Sequence, residues 1–136
     1  MEQELDRTTA FFRFEDLRIY TKVLDYIAWV YLHTNKFPEN GNVKLADTYF
    51  TSALAIALHI AEGSARNKPQ FIHYLKMAKS AVRECVVHNT LALKMSYLTE
   101  HDAEESRQQL MEMTKMLGAL IGSLQRSAGI VDTDED

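Results

Sequence analysis

Apolar residues recur along most of this chain at intervals of three and four, the repeat of an amphipathic helix. From Phe14 to about His33 the series runs Leu17, Tyr20, Leu24, Ile27, Tyr31, widened by Val23, Trp29 and Val30. It predicts a first helix over residues 15–34. Residues 35–42 read as a loop, because Pro38 disfavours helical backbone at Phe37 and Asn40-Gly41 is a turn signal. Phe37 is expected to plug that loop onto the end of the fold. A second helix should start at Val43, with Asn42 as its N-cap, and run to about Ala65. It carries two seams: Ala46, Phe50, Ala53, Ala57, Ile60, and Tyr49, Ile56, Gly63. The third helix opens around Pro69, whose missing N–H is not needed in a first turn, with Asn67 or Lys68 at the cap. Its seam of Phe71, Leu75, Ala78, Val82, Cys85, Asn89 and Ala92 alternates steps of four and three. Asn89 is the polar interruption, of the kind that fixes register at some cost in stability. Ser96 to Thr99 break the pattern. A fourth helix over residues 100–127 begins with Glu100, Asp102, Glu104 and Glu105, acids suited to a helix N-terminus. Its seam is Leu110, Met113, Leu117, Leu120, Leu124, and Gly129 closes it.

Four such helices joined by short loops predict an all-α, up-down-up-down antiparallel four-helix bundle over residues 14–128. Residues 1–13 read as an N-terminal tail and residues 129–136 as a disordered acidic tail. One stretch fits a lone bundle poorly. From Ala53 to Ala61 the only polar residue is His59, whereas a surface helix keeps a polar outer face. Leaving Leu54, Leu58 and Ala61 in solvent would create an apolar patch that monomers seldom show. A homo-oligomer interface at Ala53, Leu54, Ala57, Leu58 and Ala61 is therefore expected. The plainer alternative is cover from the N-terminal tail through Phe11 and Phe12.

Composition narrows the setting. A chain of 136 residues, 46% hydrophobic and 25% charged, suits one globular domain. The single cysteine, Cys85, cannot form an internal disulfide, so a cytoplasmic location is expected. The first residues lack a signal peptide's basic start and apolar core. No apolar run reaches the ~20 residues needed to span a bilayer, so no membrane partner is expected. The net charge of −4 comes from four acids within residues 132–136. The rest of the chain is formally neutral and does not by itself point to nucleic acid.

Three groups of polar residues invite a chemical reading. Lys76, Lys79 and Arg83 lie at i, i+3 and i+7 on one face of the third helix, and residues 67–97 hold five basic residues against one acid. Repeated around a ring, that stripe would make a basic belt for RNA or DNA. No aromatics interleave with it, so contact would be to the backbone; the plainer reading is a solvated helix face. His59 with Glu62, and Glu84 with His88, place ligand-type side chains at helical spacing. The di-iron arrangement of four-helix bundles needs further carboxylates inside the core, and the first and fourth helices offer none in mid-seam. The plainer reading puts His59 at a subunit interface and leaves His88 partly exposed, and no metal or cofactor is expected. Glu62 precedes Arg66 by four, the favourable order for a helical ion pair. Glu84 joins them only if the second and third helices pair in the right register; the three residues are read as structural polar contacts. Cys85 sits in an apolar seam, where a thiol is inert. The methionines follow helical spacing as core filler. No phosphate loop, nucleophile elbow or Cys-x-x-Cys pair occurs, so the chain is not expected to be an enzyme.

Several segments together resemble a known family. They are Phe14-Glu15-Asp16-Leu17 with Tyr20, then Phe37-Pro38, then Ile60-Ala61-Glu62-Gly63 with Arg66, then Phe71, Tyr74-Leu75, Met77-Ala78, Ser80 and Glu84. This order over residues 12–125 is similar to the bacterial four-helix bundle proteins named for an intervening sequence in large-subunit ribosomal RNA genes. The resemblance implies a non-enzymatic subunit that assembles into a ring, typically a pentamer. A relative of that family, the accessory protein of diversity-generating retroelements, binds nucleic acid and a reverse transcriptase. The chain departs from the family pattern at Phe50-Thr51, where two arginines are usual, at His59, where Asn is common, and at Lys79, where Gly is common. Losing the arginine pair removes charge that could meet phosphate, and Lys79 adds one charge back. The leading reading is a self-assembling interaction or scaffold module. The alternatives are a nucleic-acid-binding accessory protein and a metal-binding bundle.

Overall fold

The computed structural model describes residues 11–38 and 43–130. The N-cap at Asn42, the turn at Asn40-Gly41, most of the N-terminal tail and the acidic residues 132–136 lie outside the described residues. After a short 3-10 helix, Arg13–Asp16, four α-helices follow: α1 (Arg18–Thr34), α2 (Val43–Ser64), α3 (Lys68–Lys94) and α4 (Glu100–Ala128). There is no strand among the described residues. Helix α2 packs on α1 and α3, and α4 packs on α3 and α1, which is how a bundle encloses a single core.

The helix ends are set by local chemistry. Asn67 caps α3 by accepting a hydrogen bond from the Gln70 N–H at 3.0 Å, with Pro69 in the first turn. Thr99 caps α4 in the same way through the Asp102 N–H at 3.0 Å. Helix α3 stops at Ser96, which has a φ of 64°, a left-handed conformation that costs a side-chain-bearing residue more than glycine. The Tyr97 N–H then returns to Ala92 O at 2.8 Å and ties off the helix. Gly129, at φ 69°, ends α4 without that cost. The first helix starts later than residue 15, because Leu17 is extended (ψ 127°) and separates the 3-10 turn from α1. Phe37 is buried against the Tyr97 ring, with centroids 5.4 Å apart.

The core contains most of the expected seams of α2, α3 and α4, including Tyr49, Ile56, Ile60, Leu75, Val82, Cys85, Leu110 and Leu117; Ala46, Phe50, Phe71, Leu120 and Leu124 are half-buried at its edge, and Ile121 takes the inner place near the end of α4. For α1 the expected seam needs correction. The buried face is Ile19, Val23, Tyr26, Trp29 and Val30, whereas Leu24 and Tyr31 are 42% and 55% exposed. This helix is apolar on two faces, and both follow the helical period, so spacing alone does not select the inner one. Tyr26 brings in a buried polar cluster. Its hydroxyl lies 2.7 Å from the Tyr49 hydroxyl and 2.8 Å from Ser106 Oγ. Tyr49 donates to Asn89 Oδ1 at 3.4 Å, and Asn89 Nδ2 donates to Ala103 O at 3.0 Å. One residue from each helix thus supplies a hydroxyl or amide to the others, and the seam asparagine is satisfied rather than orphaned. Burial pushes the Tyr49 hydroxyl up to about 12 and Tyr26 further still, so both stay protonated donors.

Candidate functional site

Two outward surfaces and one half-buried polar contact hold the residues singled out from the sequence. On α2, Ala53 and Ala57 are 0% and 5% exposed, while Leu54 and Leu58 are 37% and 58% exposed. This corrects the expected interface. Ala53 and Ala57 belong to the chain's own core, where their small size lets neighbours approach, and Ala61 is half-buried. Leu54 and Leu58 remain outward. Phe50, one turn earlier on that side of α2, is half-buried and meets the Tyr31 ring of α1 edge-on at 6.0 Å. The outward apolar stripe of α2 therefore runs on into the second apolar face of α1, through Tyr31 to Leu24.

Where α2 gives way to α3 the helices come unusually close. A Cβ built on Gly63 would lie 2.5 Å from Tyr74 Cβ and 3.0 Å from Phe71 Cδ1. Only glycine permits that approach, which gives a physical reason for the Ile-Ala-Glu-Gly motif and for the aromatics that follow it. Beside this contact, Arg66 donates to Glu62 Oε2 through Nε at 3.0 Å and Nη2 at 2.8 Å. Its guanidinium sits 5.5 Å from the Tyr74 ring centroid. The pair is exposed, so solvent screens it and it adds little to stability. Glu84 does not join it. Glu84 instead accepts from Ser52 Oγ at 2.9 Å, and Ser52 lies 3.1 Å from His88 Nε2. Since the Ser52 proton goes to Glu84, the imidazole Nε2–H donates to Ser52.

This placement also separates the proposed metal ligands. Glu84 and His88 are engaged with Ser52, Glu62 with Arg66, and His59 lies beside the Tyr74 ring at 6.3 Å. The four do not form a ligand cluster. Among the described residues the group of ligand atoms close enough to share an ion is His101, Asp102 and Glu105, within 4.8 Å. The sequence reading did not single it out. It is largely exposed and sits at the N-terminus of α4, where the helix dipole opposes a cation. Cys85 is fully buried, and desolvation with a smaller effect of Glu84 pushes its thiol up to about 12. It is a core residue without nucleophilic character near neutral pH.

The basic residues come together across α3 and α4. Lys76, Lys79 and Arg83 line a cleft of about 180 Å³ with Ser80 and Thr114. Thr114 comes from α4 and donates its hydroxyl proton to Leu110 O at 2.9 Å, so it walls the cleft and the cations of α3 give it its charge. Sequence spacing could not pair Thr114 with residues on another helix. Past Arg83 the cleft opens into a hollow of about 420 Å³ lined by Val82, Val86 and Val87. No helix among the described residues is long and apolar enough to cross a membrane.

The family model of 23S rRNA-intervening sequence proteins matches residues 15–119. The chain belongs to this family. The match covers α1, α2 and α3, with the Gly63 contact and the basic cleft, and stops within α4, short of its C-cap. No curated protein matches the chain.

Proposed function

We propose that this member of the family is a non-enzymatic subunit whose up-down-up-down, antiparallel four-helix bundle assembles with copies of itself into a scaffold. The observation that carries this reading is the outward apolar surface of α1 and α2. Leu24, Tyr31, Leu54 and Leu58 stay 37–58% exposed in the single chain, and the Tyr31–Phe50 contact makes the two stripes continuous. A second copy would remove that surface from water at about 25 cal/mol per Å². The ring of five implied by the family resemblance is one closed arrangement that such a face can support. Light scattering on the whole chain tests the reading. The native protein should have a mass several times 15.6 kDa, and Leu58→Glu should reduce it to a single folded chain. A native mass of one chain, or a Leu58→Glu protein of unchanged mass, would sink it. Ala57→Glu is not informative here, because it would place a charge inside the subunit's own core.

A second reading rests on the α3–α4 cleft, a nucleic-acid backbone contact through Lys76, Lys79 and Arg83 with Ser80. Three cations lining one small hollow, with the Ser80 hydroxyl beside them, suit a phosphoryl group. The two readings are compatible, because the cleft lies on α3 and α4 while the apolar stripe lies on α1 and α2.

A further inference from the structure

Two apolar surfaces of this chain lie on opposite flanks of the bundle. Helix α2 packs on α1 and α3, and α4 packs on α3 and α1, so the helices follow one another around the core. The stripe of Leu24, Tyr31, Leu54 and Leu58 belongs to α1 and α2. The hollow of Val82, Val86 and Val87 belongs to α3, with Thr114 of α4 as its far wall. The two flanks share no helix. Val87 is 63% exposed, more than any side chain of the stripe, and Leu91 and Met111 are exposed one turn from Val87 and Thr114.

The flanks also match in height. The Tyr31 ring meets Phe50. On either side of Phe50 in sequence, Tyr49 reaches Asn89, and Ser52 reaches Glu84 and His88. Tyr31 and Phe50 therefore stand level with Val87, and Leu54, one turn further along α2, stands level with Arg83. A second copy set alongside, with no shift along the bundle axis, brings the stripe of one chain to the hollow of the other. The rims differ in charge as well. Asp47 stands seven residues before Leu54 on α2, whereas Arg83 lines the hollow and Arg107 stands seven residues before Thr114 on α4. Opposite charges around an apolar centre steer one flank to the other. A pairing of stripe with stripe would leave the hollow and Val87 in water.

We propose, on the reading of the chain as a self-assembling subunit, that copies join head to tail: the α1–α2 stripe of one, led by Tyr31, seats in the Val82–Val86–Val87 hollow of the next. Each copy then uses two different surfaces, a heterologous contact rather than a two-fold one, and each contact removes apolar area of both kinds from water.

Light scattering on two charge variants tests it. Leu58→Glu spoils the stripe and Val87→Glu spoils the hollow, both at exposed positions. Each alone should be a single chain of 15.6 kDa with helical circular dichroism. Mixed in equal amounts, they should form two-chain complexes and nothing larger. The intact hollow of one meets the intact stripe of the other, and the remaining surfaces carry the charge. A cross-link gives the second measurement. Tyr31→Cys/Val87→Cys protein treated with a short bismaleimide should give a ladder of linked chains, and either single variant should give none. Cys85 is buried and does not react, and the two new thiols lie too far apart to link within one chain. A Val87→Glu protein of native mass, a mixture that stays at one chain, or Tyr31→Cys chains linked to each other would overturn the head-to-tail contact. In each of those cases a native protein of several chains would leave self-assembly standing. A native protein of one chain would overturn both.

Discussion

Helix α2 meets α3 in two different ways. At one end contact is steric: Gly63 lies so close to Phe71 and Tyr74 that no side chain fits between them. At the other it is polar: Tyr49 reaches Asn89 and Ser52 bridges Glu84 to His88. The first end tolerates no added atom, and its strength is packing. The second depends on every donor finding an acceptor, and its strength is specificity of register. The difference bears on function because this seam joins the two outward surfaces. The apolar stripe lies on the α1 side of α2 and the cationic cleft on the α4 side of α3, so whatever fixes α2 against α3 also fixes one surface relative to the other.

The largest expected effect comes from breaking the steric end. Gly63→Ala adds a methyl group where the nearest atom is Tyr74 Cβ at 2.5 Å. That atom moves only with the α3 backbone. Alanine's better helix propensity returns up to about 1 kcal/mol, but forced separation of packed helices costs more. A net loss of about 1–3 kcal/mol is expected in denaturant unfolding. A neutral or stabilised Gly63→Ala protein would mean that the helices separate freely here and that the motif glycine serves something other than approach.

How much of this was legible beforehand follows the same division. The steric end lies in consecutive residues, so Ile60-Ala61-Glu62-Gly63 and Phe71 stood out as a motif before any contact was known. The helix limits were equally local: Asn67, Pro69, Thr99 and Gly129 act on their own neighbours. The seams of α3 and α4 were readable because each has one clearly apolar face. The α1 seam was misread because Leu24 and Tyr31 obey the helical period as well as Val23 and Tyr26 do. The step Ile19, Val23, Tyr26, Val30 was nonetheless present in the sequence. The polar end was illegible, since Ser106 and Tyr26 gain their meaning only from partners 80 residues apart in the chain. The cleft was half legible for the same reason, with three cations on one helix and Thr114 on another.

A smaller effect should come from the polar end. Tyr49→Phe keeps the ring and removes the hydroxyl that meets Tyr26, Ser106 and Asn89. Tyr26 and Ser106 can still bond to each other, while Asn89 Oδ1 loses its donor. The expected loss is about 1–2 kcal/mol of unfolding free energy, less than for Gly63→Ala. If Tyr49→Phe proved the more damaging of the two, the polar cluster rather than the close approach would be the chief tie between α2 and α3.

The smallest effect is a dependence on pH at the same end. His88 faces Ser52 and Glu84, with the Tyr49 ring 5.6 Å away. Burial lowers its pKa from the usual 6.5, and Glu84 only partly opposes that shift. Above the unfolded value the imidazole is neutral in both states and the fold loses nothing. As pH falls through 6.5 the unfolded chain takes up the proton more readily, so stability declines until the folded imidazole is protonated as well. Because His88 is partly exposed, the loss is modest. Between pH 7.5 and 5.5 the native protein should lose about 1–2 °C more in Tm than His88→Gln, whose amide can still donate to Ser52. Parallel slopes for the two proteins would mean that Glu84 cancels the burial of His88, leaving the polar end of the seam indifferent to pH and differing from the glycine end only in its hydrogen bonds.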